Sequence, residues 1–246
     1  MNQYLRHFGI FLAAILLTAW VGAGCRTNQV QRAYRNPYPQ PRSLAVVPFI
    51  NQSGSENLDV LAVTDEFYTE LQLVEGFTVV PVNRVLAAMN QLGLNGISSP
   101  DDAFSIADNL GVDSVIIGSI TQYDPYPPPR VGMAVQLYVR EQRTNTSAPD
   151  EPFKPGSLVR QAQPFDMPFG PELRPRAGLA RIIDADQKDV VERLKKYAQS
   201  RTGQQRPASW RNYTTRRNYL RFVAHEIIGE LIAQEQNWLI TQKLGG

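Results

Sequence analysis

Residues 44–54 read LAVVPFINQSG, and this stretch decides the fold class. Residues 44–50 form a short apolar run without alternation, the pattern of a strand covered on both faces. Asn51, Gln52, Ser53 and Gly54 supply the turn after it. Val60, Thr64, Phe67 and Leu71 then recur at three-to-four spacing, with Leu61 and Tyr68 beside them, which predicts a helix over 57–74.

Downstream, Gly76 ends that helix and residues 77–81 read as a second strand. Asn83 is placed to cap a helix with the stripe Val85, Leu86, Met89 and Leu92, stopped at Gly93. Ser99-Pro100-Asp101-Asp102 starts another helix: the serine caps, the proline suits the first turn, and the acids meet the positive end of the dipole. Its face is Ala103, Ile106, Ala107 and Leu110, and Gly111 closes it. Residues 115–120 are a third buried-type strand. Over 131–140, Val131, Met133, Val135, Leu137 and Val139 alternate with Gly132, Ala134, Gln136, Tyr138 and Arg140, which predicts a strand with one buried face. The order β-α-β-α-α-β-β implies an α/β fold, a mixed β-sheet with helices packed on it.

Between 141 and 175 regularity fades, with seven prolines from Pro149 to Pro175. This predicts a surface excursion with a short strand near 157–160. Residues 179–183 read as a last strand. Asp186 is placed to cap a helix bearing Val190, Leu194 and Tyr197. A final helix over 216–237, with the stripe Leu220, Val223, Ile227 and Leu231, forms a C-terminal helical extension packed on the domain.

Upstream, Arg6 and His7 precede 14 uncharged residues, 8–21, and then Gly22-Ala23-Gly24-Cys25. That is the layout of a secretory signal. Fourteen helical residues span about 21 Å, short of a bilayer core of about 30 Å. The segment resembles a bacterial lipoprotein signal: Ala23-Gly24-Cys25 matches the lipobox, whereas Gly22 stands where an aliphatic residue is usual. The resemblance implies acylation (palmitate among the acyl groups) at Cys25, the single cysteine of the 246-residue chain. Arg26, rather than Asp, after the cysteine leans toward the outer membrane. The division expected is a signal peptide over 1–24, a proline-rich tether over 25–42, an α/β core over 43–140, the excursion over 141–178, and a completing strand and helices over 179–246.

The opening at 44–54 is similar to the "aVlPFxNxSG" start shared by the TolB amino-terminal domain, the curli-secretion lipoprotein CsgG and the penicillin-binding-protein-activator lipoproteins. The helix at 57–74, the FTVVPVNRV strand and the ADNLGVDSVIIGSI segment extend the resemblance over about 43–140. It implies a domain that works by contact in envelope assembly. One class of the family builds an export pore, which needs hairpins of strands of about 9–11 residues. Only 131–140 alternates suitably, and the proline-rich 141–178 offers it no partner strand, so a pore is disfavoured.

Catalytic chemistry is not expected, and neither is a cofactor or a metal. Beyond the signal, His225 is the single histidine, and His225-Glu226-Ile227-Ile228-Gly229 has glycine where a zinc-protease helix carries its second ligand. Acid pairs such as Asp65-Glu66 and Asp101-Asp102 read as helix solvation and capping.

Charge is unevenly spread behind a net of +2. Residues 43–125 carry eleven acids against Arg84, and 126–246 carry nineteen basic and twelve acidic groups. These halves attract each other within one chain or between copies. Two stretches suit a partner contact: the stiff turn carrying Tyr123 and Tyr126, and the acid-free basic stretch 193–221 with Arg206, Trp210, Arg211, Tyr213, Arg216 and Arg217. Beyond the inner membrane the basic stretch suits anionic lipid or an acidic protein face rather than nucleic acid, and docking on the chain's own acidic region is the alternative. The leading function is a lipid-anchored envelope binding or assembly factor, with the membrane reached through Cys25, an envelope protein as partner and a homo-oligomer as one possibility. The alternatives are a subunit of an oligomeric secretion or channel assembly, and an envelope hydrolase dependent on His225.

Overall fold

The computed structural model describes residues 34–140, 175–202 and 210–244. Cys25, the signal region, the strand expected near 157–160 and Arg206 lie outside the described residues.

Among the described residues, six strands and five helices run in the order β1 (Arg42–Val46), β2 (Ile50–Asn51), α1 (Val60–Leu71), β3 (Phe77–Val79), α2 (Val82–Gln91), α3 (Pro100–Leu110), β4 (Ser114–Asp124), β5 (Arg130–Val139), β6 (Ala177–Asp184), α4 (Lys188–Thr202) and α5 (Arg216–Leu244). A 3-10 turn, Trp210–Thr214, precedes α5. The sheet order is β3-β1-β4-β5-β6, with β2 also against β4. β1 is parallel to β3 and β4, whereas β4–β5 and β5–β6 are antiparallel. The fold is α/β with a mixed sheet, as the element order implied.

Each face of the sheet has its own core. On the first, Val46, Ile116, Ile120, Met133 and Val135 meet Phe67 of α1, Leu194 of α4 and Phe222, Val223 and Ile227 of α5. Burying one such large side chain contributes about 1.5–3 kcal/mol relative to leaving it in water. On the second, Ala45, Val115 and Ile117 meet Val85 and Met89 of α2 and Ile106 of α3. The apolar run of β1 is uninterrupted because its residues go alternately to these two cores.

Local signals place both ends of α3. Ser99 Oγ accepts from the Asp102 N–H at 3.2 Å while Asp102 Oδ2 accepts from the Ser99 N–H at 2.9 Å, a complete capping box. Gly111 closes α3 with φ of 65°, a conformation costly for other residues. Other expectations need correcting. Asn83 does not cap α2: Pro81 holds the N-cap position without a side-chain bond. Asp186 does not cap α4, which starts at Lys188; the Asp186 N–H instead donates to Asp184 Oδ1 at 2.9 Å.

β5 is buried on both faces rather than one. Met133 and Val135 lie in the first core, while Tyr138, 1% exposed, packs edge-on against Phe104 over α3. Its alternation is one of residue size between two covered faces. Nor does β5 lack partner strands: the 11-residue β4 flanks it on one side and the 8-residue β6 on the other. Both were hidden from the alternation test, β4 because its apolar run is continuous and β6 because it follows the excursion.

Residues 34–41, which composition assigns to a tether, lie against the domain. Asn36 is buried at 6% exposure, its N–H donates to the Glu75 carbonyl at 2.8 Å, and the Glu75 N–H donates to the Tyr34 carbonyl at 3.1 Å. The last helix extends seven residues beyond the expected end at 237, to Leu244. No helix among the described residues is long and apolar enough to cross a membrane.

Candidate functional site

The antiparallel register of β4 and β5 runs from Ser114 opposite Val139 to Asp124 opposite Arg130, and residues 125–129 turn the chain between them. Asp124 Oδ1 accepts from the Tyr126 N–H at 3.1 Å, and prolines at 125, 127, 128 and 129 restrict the remaining backbone. Tyr126 stands at the tip, 77% exposed. Tyr123, lower on β4, packs on the first core, and burial pushes its hydroxyl pKa up.

The two stretches singled out for a partner contact meet here. The Arg216 guanidinium lies over the Tyr123 ring, 5.5 Å from its centroid, and Arg216 Nη2 donates to the Asn57 carbonyl at 3.4 Å. That is cation–π range, worth about 0.5–1 kcal/mol where exposed. The start of α5, the hairpin and the loop before α1 therefore meet at Arg216 and Tyr123, with Tyr126 exposed at the hairpin tip; Arg211 is exposed on the 3-10 turn. Tyr213 serves packing instead, edge-on to Tyr197 at 5.7 Å. Trp210 belongs to the 3-10 turn by its backbone, and its side chain lies outside the described residues.

Arg217 faces the other way chemically. Its Nε donates to Glu66 Oε1 of α1 at 2.6 Å. One helical turn further along each helix, Arg221 Nε donates to Glu70 Oε1 at 2.9 Å, the Tyr197 hydroxyl donates to the same oxygen at 2.8 Å, and Arg201 of α4 pairs with Glu70 Oε2. The acidic and basic halves thus dock within one chain. Glu66 is buried at 8% exposure and Glu70 at 2%, so Glu66 does not solvate its helix as its sequence neighbourhood suggests. The signal available in the sequence was their i, i+4 spacing on the same stripe as the buried Thr64, Phe67 and Leu71.

His225 stands between the Tyr34 ring at 4.7 Å and the Tyr197 ring at 4.9 Å. Burial, then the nearby Arg201 cation, pushes its pKa down to about 4, so it is neutral at pH 7. Glu226 pairs with Arg193 at 2.5 Å. Gly229 leaves room for Tyr34: a side chain there would run into the phenol ring. The HExxH-like spacing is therefore occupied by packing, and no cluster of three metal-ligating side chains exists among the described residues.

On the second face of the sheet, beyond α3, an open groove of about 60 Å³ crosses Ser119, Ala134 and Ala180, which lie in register on β4, β5 and β6. Its lining contains no charged residue.

No family model matches the chain, and no curated protein matches its sequence. Among solved structures, the LpoB C-terminal domain from Salmonella enterica shares 23% identity, covering 41% of this chain and 73% of its own, with a TM-score of 0.35. Lipoprotein GNA1162 from Neisseria meningitidis shares 23% identity, covering 40% of this chain and 70% of its own, with a TM-score of 0.31. The hypothetical protein CT253 from Chlamydia trachomatis covers 79% of this chain and 98% of its own, at 13% identity and a TM-score of 0.38.

Proposed function

We propose that this chain is a lipid-anchored cell-envelope protein, held through an acylated Cys25 in the outer membrane and facing the periplasm, that acts without catalysis as a binding or assembly factor. The observation that carries the binding role is the packing of Arg216 over Tyr123, which joins the hairpin and the start of α5 into one surface. Tyr126, held on a proline-stiffened turn, loses little freedom on binding, and the exposed Arg216 guanidinium over Tyr123 of the same hairpin suits an acidic or hydrogen-bonding protein face. The anchor rests on the Ala23-Gly24-Cys25 signal. The internal pairing of Glu66 and Glu70 with arginines of α4 and α5 supports the assembly factor over a ring held by charge between copies, because those charges already neutralise one another.

Labelling with radioactive palmitate and membrane fractionation test the anchor. The native chain should carry label and float with outer membrane, and Cys25→Ser should do neither; a cytoplasmic chain retaining residues 1–24 would end this reading. A photo-crosslinking residue at position 126 tests the surface. One discrete envelope-protein adduct, lost on Arg216→Ala, is expected, whereas equal adducts from the native and Arg216→Ala chains would remove the surface from the proposal.

A further inference from the structure

Residues 34–41 connect the domain to everything before it, and they lie across α5. The Tyr34 ring fills the space above Gly229 and stacks on His225. One step along, the Asn36 side-chain amide donates to the Gln40 carbonyl at 2.8 Å and the Gly76 carbonyl at 3.1 Å. The Tyr38 hydroxyl then donates to the Glu235 carboxylate, and Arg42 covers the Tyr38 ring at 4.4 Å. The segment therefore follows α5 from His225 to Glu235, ten residues or about 15 Å.

Beneath it an apolar slot of about 20 Å³ persists between α1, β3 and α5, lined by Leu71, Phe77, Ile228, Leu231 and Ile232 with Glu235 at its edge. The segment walls one side of this slot through Pro37 and Tyr38 and makes a single parallel bridge, Arg35 opposite Glu75, rather than a strand. Pro37, Pro39 and Pro41 have no N–H to give, so a β ladder along 36–41 cannot form. Two backbone bonds to Glu75 and the side chains of Tyr34, Asn36 and Tyr38 hold it. Such a segment can detach while the two cores stay intact, since no core strand or helix depends on its backbone. Its alternating prolines keep it extended when free, so little conformational entropy resists re-docking.

We propose that residues 34–41 are a releasable strap, which walls one side of the apolar slot on α5 and uncovers it when the chain before Tyr34 is pulled. The pull rests on the lipid-anchor reading of Cys25; the strap itself does not. Eight residues separate Cys25 from Tyr34, nine Cα steps and a reach of about 31 Å at most. Displacement of an anchored domain beyond that reach therefore loads Tyr34 first, and the contacts would part in the order Tyr34 on α5, Asn36 on Glu75 and Gly76, then Tyr38 on α5.

Hydrogen-exchange mass spectrometry on the full chain in lipid nanodiscs tests this. Peptides spanning 34–40 should exchange at least about 10-fold faster than those of β4 and β5. Gly229→Leu, which expels the Tyr34 ring but favours the helix, should raise strap exchange about 10-fold further and leave β4 and β5 unchanged. The same variant should enhance the fluorescence of 8-anilinonaphthalene-1-sulfonate, which binds exposed apolar surface. If Gly229→Leu does not fold, Tyr34→Ala makes the same comparison. Strap exchange equal to that of β4 and β5, or a variant that accelerates every peptide together, would overturn the proposal by showing that the segment opens only with global unfolding. Palmitate labelling separates the two readings: an unlabelled chain that still shows fast strap exchange loses the anchor and keeps the strap.

Discussion

Arg221 of α5 donates from Nε to Glu70 Oε1 of α1 across 2.9 Å, and Arg201 of α4 takes the other carboxylate oxygen. Three helices separated in the chain are pinned to one buried acid. Removing one partner from such a cluster leaves the others without compensation, a loss of about 3–5 kcal/mol for buried pairs. Glu70→Gln is expected to lower unfolding free energy by about 3 kcal/mol, because the arginines keep some water contact. Urea unfolding measures it, and a loss below about 1 kcal/mol would show that the cluster is screened like a surface pair.

His225 provides a pH dependence. Its folded pKa is pushed below the unfolded value of about 6.5, to about 4. The stability it contributes as a neutral ring is present above pH 6.5 and is lost as pH falls through that value toward 4. His225→Phe removes the titration and keeps an aromatic ring between Tyr34 and Tyr197. Thermal melts at pH 7 and pH 4.5 should show the native chain losing on the order of 2 kcal/mol more than the variant. Equal losses would mean that the ring gains water and a proton without cost.

The capping box of α3 gives a local test. Ser99→Ala removes the acceptor for the Asp102 N–H and is expected to cost about 1 kcal/mol, within the range of about 0.5–2 kcal/mol for N-caps. Ser99→Asp should restore most of it, since Asp also caps. Chemical denaturation of the two variants checks this.

The surface at the hairpin should separate binding from stability. Tyr126 is exposed and Arg216 lies on the surface, so Tyr126→Ala and Arg216→Ala should each change unfolding free energy by less than about 1 kcal/mol. On the proposed function, both should weaken capture of an envelope protein. A large stability loss in Tyr126→Ala would mean that the turn, rather than its tyrosine tip, is what this sequence protects.

Much of the framework was legible along the chain. The stripe from Val60 to Leu71, the Ser99 capping box and Gly111 are local features, and each lies where its element begins, runs or ends, whereas the apolar run at 44–50 divides between β1, which ends at Val46, and β2, which starts at Ile50. The errors share a cause. Asn83, Asp186 and the single buried face of β5 were inferred from residue type and alternation, but a cap depends on backbone geometry and burial depends on what covers the second face. Tyr123 and the basic stretch were both visible as candidate contacts, whereas the packing of Arg216 on Tyr123 was not.

The sequence by itself determined the α/β class, the order of elements and the lipobox-like signal, because turn residues, caps and hydrophobic periodicity act over a few neighbouring positions. Tertiary structure alone decided that Glu66 and Glu70 meet arginines 151 residues away, that Gly229 is the seat of Tyr34, and that proline-rich residues 34–41 are strapped to α5. Those pairings follow from how the first core brings α1, α4 and α5 onto one face of the sheet, and spacing along the chain carries no record of that distance.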